Sequence, residues 1–402
     1  MNSRERVRRA MRHEMPDRVP VMCQLALGHY FLHSRRRPAE IWFDSTAFID
    51  TLLEFQQRYR FDGILLNLPG RPPDWSQYVD RTELGQGGTE TLYWRNGLRT
   101  QMVPDDNPHT FQADDSPLAR ADYQRIDPDD PSILRLDGYV WNTWHAPHLW
   151  DIPESADLTD PTAYPEWFTA GLQQAKKLAD AISVHFELFS PWTHLMELLG
   201  YENALMALLD APDTCLRLLQ TLTAVVVAQV RCCAPHQPDA ILLSSAFAGA
   251  GFIGRAMYER FVLPCESQVA AAVHEFQLPI YTHTCGAIGD RLDLMTRTGI
   301  DGIDTLDPPP LGTVDLQEAK ERFGDRLFFK GNLDAVNEML MADDPTFERA
   351  VRQRLAIGGP GSGYILSSAC SVSPHVRPDR LQAMTALAEQ YGQYPPLPKT
   401  TR

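Results

Sequence analysis

Short apolar runs alternate with longer amphipathic stretches along most of this chain. Eight runs read as strands: residues 19–23, 63–68, 181–186, 240–244, 279–283, 302–304, 327–331 and 364–367. Between most of them the apolar positions recur at helical spacing. Ala204, Leu205, Leu208 and Leu209 form one such stripe, and Leu216, Leu219 and Leu222 another. Eight strands, each followed by a helix, form the α/β pattern of a (β/α)8 TIM barrel. Residues 3–14 read as a leading helix with Ser3 as its N-cap. Arg6 stands where a capping box requires Glu or Gln, so the cap is incomplete.

One region breaks the alternation. Residues 70–160 are rich in Pro, Asp, Trp and Gly, with a hairpin expected around 91–93 and 98–102. The pattern predicts an insertion after the second strand, folded over the barrel mouth as a lid-like segment. The whole chain, 1–402, is then a single barrel domain.

Composition changes this picture little. A net charge of -15 argues against nucleic-acid or anionic-membrane partners. The N-terminus carries Arg4, Arg6, Arg8, Arg9 and Arg12 but no apolar h-region, and Glu5, Glu14 and Asp17 argue against a transit peptide. No unbroken run of about 18 apolar residues occurs, so no membrane span is expected. Seven cysteines, an odd number, in a long chain without an export signal predict reduced thiols and a cytoplasmic location.

The candidate chemistry lies at the strand ends. His283 and Cys285 are two residues apart at the end of the fifth expected strand, so both side chains fall on one side of an extended segment. Cys370 lies three residues past the eighth. Strand ends of a barrel converge on one face, which brings the three together. One imidazole and two thiolates make an unfinished zinc site, with a position left for substrate. The bland alternative is a core histidine beside a buried cysteine. Asp307, just past the sixth strand, is either a fourth ligand or the cap of the turn before Pro308-Pro309-Pro310. Zinc stabilises a thiolate by its positive charge. Two thiolate ligands weaken it as a Lewis acid, which favours thiol alkylation over hydrolysis.

Four further residues are candidates. Glu187, ending the third strand, positions substrate or acts as an acid; otherwise it is a buried, paired glutamate. Asn332 follows the seventh strand and either binds a substrate amide or pterin, or shapes a Gly-Asn turn. Asn67 and Tyr281 are weaker cofactor-binding candidates, Tyr281 lying within a strand. The glycine-rich stretch 358–363 precedes a strand instead of joining a strand to a helix, so it reads as a turn and not as a phosphate loop.

Several segments carry a family resemblance. They are Arg4-Glu5-Arg6-Val7 through Pro16-Asp17-Arg18-Val19-Pro20-Val21, Tyr281-Thr282-His283-Thr284-Cys285-Gly286, Gly299-Ile300-Asp301-Gly302-Ile303, Lys330-Gly331-Asn332-Leu333-Asp334, and 363–370 with Pro374 and Pro378. With these the chain resembles the uroporphyrinogen decarboxylase superfamily, and within it the zinc-dependent corrinoid methyltransferases, whose acceptors are coenzyme M or tetrahydrofolate. The resemblance implies a barrel with Zn2+ at its mouth, held by His283, Cys285 and Cys370. Asp307 falls near a glutamate ligand of related thiol-alkylating enzymes but is one methylene shorter. The decarboxylase branch places arginines in an early segment that corresponds here to residues 22–28, which hold none. No Asp-x-His-x-x-Gly carrier segment occurs, so a corrinoid would arrive on a partner protein or free.

The reading is therefore a zinc-dependent methyl- or alkyltransferase acting on a small thiol or pterin, with a corrinoid carrier protein as the expected partner. A metal-free lyase on the same barrel and a zinc-bearing accessory protein are the alternatives.

Overall fold

The computed structural model describes residues 1–66, 70–129 and 156–395. Its strands, in chain order, are β1 (Gly63–Leu66), β2 (Val79–Leu84), β3 (Glu90–Trp94), β4 (Arg99–Met102), β5 (His109–Phe111), β6 (Ser183–Phe189), β7 (Ala240–Ser244), β8 (Ile280–His283), β9 (Gly302–Thr305), β10 (Phe328–Leu333) and β11 (Tyr364–Ser368). Seven of them form one sheet in the order β1-β6-β7-β8-β9-β10-β11, and every neighbouring pair is parallel. All residues of these strands are buried, because helices cover one face and the side chains of the other pack into an apolar interior.

The sheet is strongly curled. Leu65 from one edge strand and Ile365 from the other meet Leu242, Tyr281 and Phe328 in a single apolar cluster, which a flat sheet would forbid. Helix Ser3–Met11 plugs this cluster with Val7, Ala10 and Met11. Its N-cap is Asn2, not Ser3: the Asn2 side chain accepts from the Glu5 amide at 2.9 Å.

Residues 19–23, the first expected strand, do not form a ladder. They bridge the two edge strands. The Leu366 amide donates to Pro20 O at 2.9 Å, Met22 donates to Leu366 O at 3.1 Å, and Asp62 donates to Val21 O at 2.7 Å. Pro20 has no N–H to give, so only an isolated parallel bridge, Val21 to Leu366, remains. The fully buried Asp62 carboxylate completes the join. It accepts from Val21 N at 2.8 Å, from Arg6 at 2.6 Å and from Arg18 at 2.8 Å.

Helix Pro212–Cys233 packs over β6 and against helices Pro191–Leu199 and Leu263–His274. By length and composition alone, Pro212–His236 could cross a membrane, but 61% of its apolar window is buried inside the protein, as for a core helix.

The antiparallel sheet β2-β3-β4-β5 falls between β1 and β6 in the chain, and its β3–β4 pair is the expected hairpin. Leu92, Trp94, Leu98 and Met102 join the main core, and Trp94 meets Phe43 edge-on at 5.1 Å. Residues 130–155 of the expected lid-like stretch lie outside the described residues.

Candidate metal centre

Strand register sets the site. Ser244, His283, Asp304 and Lys330 occupy one row across β7, β8, β9 and β10. His283 points inward two residues beyond Tyr281, and Cys285 follows where the strand has ended. From β11 the chain turns so that Cys370 faces Cys285 at an Sγ–Sγ distance of 3.4 Å, while His283 Nε2 lies 3.2 Å from Cys285 Sγ. Among the described residues, His283, Cys285 and Cys370 form the metal-competent cluster, their ligand atoms all within 4.8 Å of one another.

The surroundings fit a cation. Asp304 Oδ2 accepts from His283 Nδ1 at 3.3 Å, which turns Nε2 toward the thiols. This carboxylate–histidine arrangement orients metal-bound imidazoles generally. Lys330 Nζ reaches both Asp304 oxygens, at 2.9 and 3.0 Å, and both residues are buried. Burial alone would raise the Asp304 carboxyl, but the Lys330 ammonium and the His283 hydrogen bond outweigh it and hold it below the usual range. Burial would lower His283; Asp304 and Cys370 reverse this and hold it up to about 10. The hydrogen bond between the thiols holds Cys370 well below, and Cys285 well above, the ordinary cysteine value. Negative charge thus gathers on Cys370 and Asp304 around the imidazole, an arrangement suited to a divalent cation.

A cavity of about 150 Å³ opens over this cluster. Leu25, Leu27, Trp42 and Phe189 supply its apolar wall, and Gln24, Asn107, Ser244 and Ser371 its neutral polar groups. Glu187 also lines it. Burial pushes the Glu187 carboxyl up to about 7, opposed by the charge of His283 and a hydrogen bond with Ser244. Asn107 comes from the loop between β4 and β5. Neighbouring Asp105 of that loop pairs with His375 at 3.1 Å, tying the small sheet to the segment after Cys370.

The other sequence candidates fall elsewhere. Asp307 stands beside the cluster but outside it: its Oδ2 accepts from the Gly286 amide at 2.6 Å, fixing the turn that carries Cys285. Burial pushes its carboxyl up to about 6. Asn332 faces away from the cavity, with Nδ2 donating to Leu306 O at 2.9 Å and Oδ1 accepting from Arg354 at 3.0 Å. Tyr281 lies one layer below, fully buried against Phe328, with its hydroxyl 2.8 Å from His185 Nδ1. Neither touches the cavity. Asn67 lies outside the described residues.

Sequence reasoning missed the Asp304–Lys330 pair. The available signal was Lys330 itself, a lone charge within the apolar run Phe328-Phe329-Lys330, which requires a buried partner.

Residues 149–391 match the model of the family described as uroporphyrinogen decarboxylase (URO-D). Curated relatives include uroporphyrinogen decarboxylases of Alkalilimnicola ehrlichii, 27% identical over 211 residues, and of Coxiella burnetii, 26% identical over 213 residues. These matches take in 50% of this chain, and the chain spans about half the length of those relatives, 55% and 56%. Among solved structures, a methyltransferase from Methanosarcina mazei superposes with a TM-score of 0.68 at 13% identity, over 97% of this chain and 99% of that one. That likeness is one of fold. Matched by the family model over more than half of its length, the chain belongs to the uroporphyrinogen decarboxylase family.

Proposed function

We propose that this protein is a zinc-dependent methyl- or small-alkyltransferase whose acceptor is a thiol. The observation that carries the reading is the convergence of His283, Cys285 and Cys370 at the floor of a small cavity, with Asp304 behind the imidazole. Three protein ligands leave a tetrahedral ion one position for substrate. Bound there, zinc would supply the positive charge that keeps a thiol ionised at neutral pH.

The chain's own residues do the rest. His283 presents Nε2 because Asp304 fixes Nδ1. Cys285 is held in place through the Gly286 amide by Asp307. Glu187, on the cavity wall, is placed to take the proton that the thiol gives up. Leu25, Leu27, Trp42 and Phe189 exclude water from the nucleophile and orient the small acceptor.

In this reading the fold is a closed (β/α)8 barrel in a single domain. Residues 19–23 are its eighth stave, and the stretch 70–160 is an insertion reaching the mouth through Asp105 and Asn107. A corrinoid supplied by a carrier protein is the methyl donor that suits the methyltransferase-like fold. Decarboxylation of a porphyrinogen suits the site poorly. The cavity is well below the 300–1,000 Å³ of ordinary ligand pockets, and its described lining holds neither Lys nor Arg to meet a multiply anionic macrocycle.

The test is metal content by mass spectrometry on wild type and Cys370→Ala after a mild chelator wash, followed by thiol methylation assays with methylcobalamin. About one zinc per chain, lost in the variant together with thiol methylation, is expected. A folded wild type that holds no zinc and is active without it refutes the reading.

A further inference from the structure

Two carboxamides stand on the wall of the cavity that holds the thiols. Asn107 comes from the loop between β4 and β5, and so from the small sheet and not from the large one. Gln24 comes from the segment that follows residues 19–23. Their backbones are fixed beside Cys370. Gln24 O accepts from Val372 N at 2.8 Å, two residues after that thiol. The Asn107 amide donates to Asp106 Oδ1 at 2.7 Å, and Asp105 pairs with His375 at 3.1 Å. The Asp105 backbone also packs on Gly28, where a Cβ would stand 2.6 Å from it.

Their head groups are unused. Neither side chain makes a hydrogen bond to any described residue, and Gln24 Oε1 is buried without a partner. A carboxamide brings two donor hydrogens and an acceptor oxygen. Leaving such a group unpaired on a desolvated wall costs free energy, which a bound molecule recovers by pairing it. The terminal torsions of Asn and Gln are broad, so either end of each amide can turn toward the cavity.

We infer that Asn107 and Gln24 select the acceptor, and that the thiol taken here carries a neutral group that both donates and accepts hydrogen bonds, a hydroxyl or a primary carboxamide. Such a group satisfies both ends of a carboxamide; an anion offers acceptors alone and a hydrocarbon offers neither. The two residues act as specificity determinants, touching substrate and not the ion. This inference rests on the thiol-transfer reading above and specifies its substrate class.

The experiment is calorimetric titration of the zinc-loaded full chain with 2-mercaptoethanol, with 1-propanethiol, in which a methyl replaces the hydroxyl, and with 2-mercaptoethanesulfonate. It is run on wild type, Gln24→Met and Asn107→Leu, with zinc content read on each by mass spectrometry. Wild type is expected to bind 2-mercaptoethanol at least about tenfold more tightly than 1-propanethiol. In each variant that preference is expected to fall about two- to tenfold at unchanged zinc content, since each removes one neutral hydrogen bond. A wild type that does not distinguish the two neutral thiols, or that binds the sulfonate most tightly, overturns the inference and leaves the thiol-transfer reading standing. A preference unchanged in either folded, zinc-bound variant does the same. Loss of zinc from either variant also overturns it, because the side chain then serves the Cys370 segment and not the substrate. If no thiol binds to wild type, the thiol-transfer reading falls and takes the inference with it.

Discussion

Asp304→Asn separates two roles that the structure gives to one carboxylate. Asp304 fixes His283 Nδ1 and neutralises Lys330, whose side chain is 1% exposed. The variant keeps the shape and a hydrogen-bond acceptor but leaves the lysine as a buried charge without a counter-ion. Breaking a buried pair this way costs about 3–5 kcal/mol. At about 2.1 cal/mol/K per residue over 402 residues, the unfolding entropy is near 0.8 kcal/mol/K, so the melting temperature should fall by about 4–6 °C. Weaker orientation of the imidazole should also cost about 10–100-fold in zinc affinity. Melting curves of the zinc-free protein and competition with a chromophoric chelator measure the two effects separately. The double variant Asp304→Leu/Lys330→Met removes both charges. It should regain most of the stability while zinc binding stays weak. A single variant that melts within about 1 °C of wild type and binds zinc equally well would refute the reasoning.

Three further outcomes are expected. Asp62→Ala leaves Arg6 and Arg18 without their shared carboxylate where residues 19–23 meet the edge strands and should cost about 3–5 kcal/mol in chemical denaturation; a loss below about 1 kcal/mol would show that this join does not depend on it. Burial raises the Glu266 carboxyl to about 7, opposed by the neighbouring Ser245 hydroxyl and a hydrogen bond from Tyr258. The folded state therefore holds the proton more tightly than the unfolded chain, and this group's contribution to stability falls as pH rises from about 4.5 to about 7. Glu266→Gln should flatten that slope and melt higher than wild type at pH 8, whereas parallel pH–stability curves would contradict the assignment. Glu187→Gln should weaken thiol binding at neutral pH and with it lower methyl transfer about 10²–10⁴-fold, while zinc content persists; full activity would remove Glu187 from proton transfer.

Much of the architecture was legible because the strands of the large sheet are buried on both faces and so appear as short apolar runs. The convergence of His283, Cys285 and Cys370 was legible for a topological reason: residues just past the ends of parallel strands meet on one side of the sheet. What failed depended on partners that one sequence does not reveal. Asn332 was a candidate for substrate, yet Arg354, in the helix Asp344–Gly358, occupies its amide. Whether Tyr281 lines the cavity or the layer below is decided by strand register, which also sets His283 beside Asp304 and Asp304 beside Lys330. The small sheet was half visible. The alternating burial of β3 announces a strand, but β2, Val79–Leu84, is almost entirely exposed and offers no apolar pattern.

The join between residues 19–23 and β11 bears on how the molecule is made. Met22 donates to Leu366 O, so the contact spans 344 residues of chain. At synthesis rates of about 5–20 residues per second, roughly 20–70 s separate the emergence of its two halves. For that interval the apolar interior of β1 and the N-terminal helix waits without its last wall. Non-local pairing of this kind slows folding, and a nascent curled sheet with two open parallel edges is exposed to aggregation until the final strand arrives. Recombinant yield should therefore respond more to slower expression, lower temperature and chaperone supply than to stabilising mutations elsewhere in the sheet.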